Sequence, residues 1–379
     1  MQEYRYLLDI ALILLMTKAF GLFSRRLRMP SVVGALIAGI VLGPAVLNIV
    51  EPSKLIESLS EIGVIVLMFA AGLETSITDL KKAGLKAFII ATLGVLVPLA
   101  VGYVVGGFYN VGPDAWLHNL FLGVILTATS VGITVETLKE MGCMSTESGN
   151  AILAAAVIDD VLGIICLTLL TGMADSSVNI GVVMFKILLF FVFAVVVGLI
   201  LHKVFSWWFE HDSCGGLQRY SIVSFAFALI MAFCSEAFFG VADITGSFVA
   251  GLILSGTRQC DYVTKRISTL SYMLITPVFF ASIGLKLSPI TWNAKLIELV
   301  IVLCVVAVLT KIIGCGMISR GEVALIVANK GMALGILPEV FVTPVLLCVV
   351  FTTVITPILL KIVYKKKPND ADFVQTANC

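Results

Sequence analysis

Long apolar stretches separated by short polar or Gly/Pro-containing breaks run along almost the whole chain. They fall at about 5–23, 29–48, 60–75, 86–109, 117–138, 149–172, 178–201, 219–235, 240–256, 267–285, 292–316, 321–339 and 340–363, which predicts thirteen membrane-spanning helices. A helix rises about 1.5 Å per residue, so roughly 20 apolar residues cover a hydrocarbon layer of about 30 Å, and most of these stretches are of that size. The expected fold is all-α and polytopic. The stretch from Tyr6 to Phe23 is preceded by Glu3, carries Asp9 and lacks a small-residue cleavage site, so it reads as a retained helix and not as a signal peptide.

Composition agrees with the pattern and narrows the partners. Hydrophobic residues make up 59% and charged residues 13% of the 379, where a soluble domain carries about 25% charged. A net charge of +1 offers no basic surplus for a nucleic acid. Nine cysteines stand singly beside only three histidines, so neither a zinc site, a disulfide framework nor a resident cofactor is expected.

With an odd number of spans the termini lie on opposite sides. Placing the N-terminus outside puts seventeen basic residues on the cytoplasmic side, among them Arg25, Arg26, Lys139 and Arg320, and leaves four outside. Basic residues favour the cytoplasmic face, so the C-terminal tail is expected there. Gly34, Ala38, Gly39 and Leu42 of the second stretch recur as Gly246, Ala250, Gly251 and Leu254 of the ninth, an offset of 212, and Gly72-Leu73 recurs as Gly284-Leu285 at the same offset. In this topology the two copies run in opposite directions, the inverted-repeat plan of many secondary transporters.

The charges inside the spans are few. Asp159 and Asp160 lie side by side in the apolar run Ala154–Gly163. One Asp at a helix centre costs about 2.5–3.5 kcal/mol to insert, so the pair must face water, cations or partners inside the bundle. Adjacent helical residues point about 100° apart, so the two cannot serve one role in one direction. Capping or loop aspartates are the bland alternative, but nothing around them breaks the helix. Lys311 is the other mid-span charge, and a bond to Asp159 or Asp160 would relieve both partners. Its alternative is snorkelling to the interface, as expected of Lys18 and Lys186 near their span ends. Leu126–Thr134 contains Thr129, Ser130 and Gly132, where freed carbonyls and hydroxyls suit a hard cation such as sodium. A similar interruption at Ala328–Gly331 would give two broken spans meeting at a midplane site, although such small-residue stretches also serve close helix packing. Arg320 and Glu322 open the twelfth stretch, where they are read as a pair at its cytoplasmic end.

Thr127–Thr134, Ala156–Gly163 and Arg320–Val323 together resemble bacterial cation/proton antiporters of the NapA type, in the monovalent cation:proton antiporter superfamily that includes the Kef-type membrane domains. The likeness extends along nearly the whole chain. It implies a transmembrane domain over 1–363, a homodimer, a dimerisation part at about 1–75 and 219–285, and a mobile ion-transport part at about 86–172 and 292–363. A linker helix at about 178–201 and a short cytoplasmic tail at 364–379 complete the implied arrangement. By the same likeness Asp160 binds sodium or protons in turn, Asp159 pairs with Lys311, and Thr129 and Ser130 lie at the helix crossing. Two carboxylates resemble the electrogenic branch that exchanges two protons per sodium. One departure is visible: the family's loop between the equivalents of Lys311 and Arg320 is almost absent.

The expected function is therefore exchange of Na+ for H+ across a bacterial inner membrane by a transporter that is not an enzyme. Exchange of K+, or of Na+ and K+ together, is the near alternative. A channel is a further one, and an intramembrane aspartyl protease is more distant, since such enzymes take their aspartates from different helices.

Overall fold

The computed structural model describes residues 4–364 apart from 28, 76, 111–114, 145, 175–179, 212–216, 288–292, 312–315, 321–323, 325–326, 329–330 and 333–336. Every regular element among the described residues is helical. In chain order the long ones are α1 (Arg5–Arg26), α2 (Ser31–Leu42), α3 (Lys54–Glu74), α4 (Ile77–Tyr109), α5 (Ala115–Thr127), α6 (Val131–Glu140), α7 (Glu147–Ala174) and α8 (Ile180–His211). They are followed by α9 (Leu217–Cys234), α10 (Asp243–Leu254), α11 (Cys260–Leu270), α12 (Thr276–Leu285), α13 (Ala294–Leu309) and α14 (Glu339–Tyr364). Nine helical stretches among the described residues are long and apolar enough to cross a membrane, and α2 and α10 are shorter apolar helices.

Local chemistry sets several boundaries. The hydroxyl of Ser53 accepts from the Ile56 amide at 3.4 Å and starts α3, and the Asn293 side chain accepts from the Leu296 amide at 2.7 Å and starts α13. Helices α11 and α12 are one span joined by a π turn at Ser271–Ile275, just ahead of Pro277. Proline cannot donate to the ladder and its ring crowds the preceding turn, and the wider π spacing makes room for it. A second π turn, Ser235–Phe239, ends α9 at Gly240, whose φ of 65° suits a residue without Cβ. Several expected bounds shift, with α4 beginning at Ile77 instead of 86 and α8 running to His211 instead of 201. The second span ends at Leu42, before the turns of 44–47, and the eleventh ends at Leu309, short of the anticipated 316. Most of the expected twelfth span and the tail lie outside the described residues.

Helices α1, α2, α3, α9, α10, α11 and α12 pack together, and α4, α5, α7, α13 and α14 form a second group. Helix α8 touches both α7 and α10, and α6 reaches α2 and α3 as well as α7 and α14. Backbone contact at glycine brings the first group close. A Cβ on Gly39 would lie 2.2 Å from the Ala281 carbonyl oxygen, and one on Gly72 would lie 2.2 Å from that of Phe248. Outward-facing Leu85, Phe108, Leu188 and Leu199 present apolar surface, as a lipid solvent requires.

Candidate ion site at the helix crossing

The expected fifth span is two half-helices. Helix α5 stops at Thr127, residues 128–130 are extended, and α6 begins at Val131. The chain that crosses this break is Met317–Arg320. The Ser130 amide donates to the Ser319 carbonyl at 2.7 Å, and the Ser319 hydroxyl donates to the Ser130 carbonyl at 2.9 Å. Thr134 at the start of α6 donates to the Gly316 carbonyl. Each broken segment thus supplies partners that the other has lost, which is how irregular backbone survives at membrane depth. The crossing lies earlier in the chain than the anticipated Ala328–Gly331, of which Asn329 and Lys330 fall outside the described residues.

Lys311 points into the gap left by the α5–α6 break. Its ammonium donates to the Thr127 carbonyl at 2.6 Å, to the Thr129 hydroxyl at 2.5 Å, and to Asp159 at 3.3 Å. An ammonium has three protons, and all three are used. Both side chains of the Asp159–Lys311 pair are almost wholly covered, at 2% and 1% exposure. Residue spacing left open which aspartate would take this lysine, and the family likeness implied Asp159; the salt bridge goes to Asp159.

Asp160 is turned elsewhere. It keeps 9% of its surface accessible, and among the described residues no hydrogen bond or salt bridge reaches it. Gly163, three residues on and hence near the same face of α7, has nothing within 4 Å of where a Cβ would stand, so space is open beside this carboxylate. An unpaired carboxylate at this depth costs several kcal/mol unless a proton or a cation neutralises it.

Arg320 lies deeper than the expected cytoplasmic end of the twelfth span, while its expected pairing with Glu322 falls outside the described residues. It is 1% exposed and lies at the crossing, where its amide donates to the Thr352 hydroxyl at 3.2 Å and Nη1 donates to the Met317 carbonyl at 3.3 Å. Ser319, Thr352 and Thr353 carry no sequence signal of their own as site residues, because single hydroxyls in apolar runs are common. The one available signal was the shortened connection, which places Ser319 eight residues after Lys311. Lys18 donates to the Tyr272 hydroxyl at 2.5 Å.

A family profile described as sodium/hydrogen exchanger, transmembrane, matches residues 11–366. The chain is 38% identical to the Na(+)/H(+)-K(+) antiporter GerN of Bacillus cereus, covering 96% of this chain and 98% of that protein. It is 33% identical to an Na(+)/H(+) antiporter of Enterococcus hirae, covering 94% and 97%. Among solved structures it superimposes on the sodium proton antiporter MjNhaP1 from Methanocaldococcus jannaschii at pH 8, with a TM-score of 0.66 and 19% identity over 96% of each chain.

Proposed function

This chain belongs to the sodium/hydrogen exchanger family, and we propose that its exchange of a monovalent cation for protons is centred on Asp160, which the two ions occupy in turn. The observation that carries this reading is the unequal fate of the adjacent aspartates. Asp159 is held by Lys311 at 3.3 Å, while Asp160 has no partner among the described residues. A carboxylate that carries a proton or a sodium ion crosses a hydrophobic barrier far more cheaply than a bare one, so a shared site moves one ion or the other but not its own charge. Thr129 and Ser130 supply oxygens near the break, and Arg320 offsets the field of buried oxygens at the crossing. Net charge moves only when a second proton travels per cation, and the Asp159–Lys311 pair is the group that would carry it; each net charge is then worth about 2.3 kcal/mol per 100 mV.

The architecture in this reading has α1–α3 and α9–α12 as the static, dimer-forming part and α4–α7 with α13–α14 as the moving part, joined by α8. The chain works as a homodimer in a bacterial inner membrane, with its N-terminus outside and its tail cytoplasmic. The glycine contacts support the inverted repeat. Gly39 meets Gly284, Gly251 meets Gly72, and an offset of 212 converts one contact into the other.

Sodium is the cation we assign. The name of the Bacillus cereus relative, which includes potassium, keeps K+ or mixed exchange as the second reading. A protease is disfavoured because both aspartates sit on one helix and diverge. The test is exchange in proteoliposomes with Na+, K+ and Li+, with and without an imposed potential. Wild type exchanges Na+ in a voltage-dependent way, and Asp160→Asn stops exchange while remaining folded. Sodium-dependent proton flux in that variant would remove Asp160 from the site.

A further inference from the structure

A crevice of about 340 Å³ lies between α1, α2 and the α11–α12 span, away from the aspartates. One side is apolar, with Leu14, Leu15, Leu22 and Phe280 among its walls. Lys18 and Arg25 also line it, and they are seven residues apart on α1, so they share one face of that helix at a separation of about 10 Å along its axis. Lys18 donates to the Tyr272 hydroxyl at 2.5 Å, and Arg25 lines the same crevice further along that helix face.

Two cations on one crevice wall repel each other unless an anion joins them. Glu140 compensates Arg25 at 3.4 Å, but among the described residues no carboxylate pairs with Lys18. Glu136 is the one acid on the crevice wall, and its charged neighbours are Lys139 and Glu140 at the end of α6 and Glu74 at the end of α3, not Lys18. An ammonium facing lipid without a counter-charge is costly, and a phosphate oxygen is the ligand that removes the cost in this setting.

We propose that this crevice binds one anionic phospholipid, with its phosphate between Lys18, Arg25 and Tyr272 and an acyl chain along Leu14, Leu15 and Leu22. Charge complementarity at the head end and a continuous apolar wall below it select an amphiphile over a free anion. On the orientation proposed above, this end of α1 is cytoplasmic, the leaflet rich in anionic lipid. Arg25 and Ser31 line the crevice and also hold Glu140 of α6, so a bound phosphate competes with Glu140 and touches the part of the protein that moves.

The test is a thermal melt of the full chain in a neutral detergent with added phosphatidylglycerol, phosphatidylcholine of the same chains, or inorganic phosphate. Phosphatidylglycerol at about a hundred times its dissociation constant is expected to raise Tm by roughly 3 °C beyond phosphatidylcholine, with inorganic phosphate giving no shift. Lys18→Gln is expected to lose at least half of that difference, and Lys86→Gln, at an exposed pair with Glu147 elsewhere, to keep it. Tyr272→Phe is measured beside it and should show the same partial loss. Equal shifts with the two lipids, or a full phosphatidylglycerol shift in both crevice variants, would overturn the proposal. A shift with inorganic phosphate alone would replace the lipid with a free anion.

Discussion

Gly39 of α2 and Gly284 of α12 meet backbone to backbone, so that a Cβ on Gly284 would stand 2.8 Å from the carbonyl carbon of Gly39. Gly251 of α10 and Gly72 of α3 repeat the contact, with a Cβ on Gly251 2.9 Å from the carbonyl carbon of Gly72. In lipid, helices associate through close packing because the solvent is as apolar as their side chains, so removing Cβ is the way to gain contact. Gly39→Ala must push α2 away from Ala281 and is expected to cost about 1–3 kcal/mol, read as a lower melting temperature. Gly84→Ala, with nothing within 4 Å, should leave stability equal or raise it by up to about 1 kcal/mol. Equal effects at the two positions would contradict the packing account.

The Asp159–Lys311 pair lends itself to a double-mutant cycle. Asp159→Asn leaves a buried ammonium that still has the Thr127 and Thr129 oxygens, and Lys311→Gln leaves a buried carboxylate with less compensation. Breaking such a pair costs about 3–5 kcal/mol, so each single change should destabilise strongly, and the double change should cost clearly less than the sum. Additive losses in chemical denaturation would show that the pair is not coupled.

At the other end of α6, Glu140 accepts the Ser31 amide at 2.8 Å and the Ser31 hydroxyl at 2.8 Å, and Lys139 meets Glu74 at 2.8 Å. These contacts tie α6 to α2 and α3, so any motion of α6 relative to them must break them. They are partly exposed, and each is worth only about 0.2–1 kcal/mol. Glu140→Ala should therefore speed amide exchange at Ser31 and change the rate of ion exchange by about two- to fivefold. Unchanged hydrogen–deuterium exchange across 29–33 would mean that α6 is held by other contacts.

The open space beside Gly163 gives a steric test of access to Asp160. Gly163→Ala should be tolerated, since its Cβ meets nothing within 4 Å, whereas Gly163→Phe should leave the protein folded and slow exchange at least about tenfold. The measurement is sodium-driven proton flux set against the melting temperature of the same preparation. Full activity in the Phe variant would place the ion route on another face of α7.

What the sequence determined by itself follows from one-dimensional costs. Twenty apolar residues in a row have few stable settings other than a membrane, so the all-helical class and most spans could be read directly. The adjacent aspartates stood out because charges at that depth are expensive wherever they point. Direction was not legible from spacing, and for Lys311 only the family likeness supplied it. That Lys311 chose Asp159, and that Arg320 lies buried at the crossing instead of at a helix end, depends on where α7, α13 and the 317–320 segment meet. The crossing partner of Ser130 was equally hidden, because the bond to Ser319 joins residues 189 apart and carries no periodic signature. Spacing along a chain fixes which residues share a helix face, but which faces meet is settled only when helices pack, and there the backbone contacts at glycine decided.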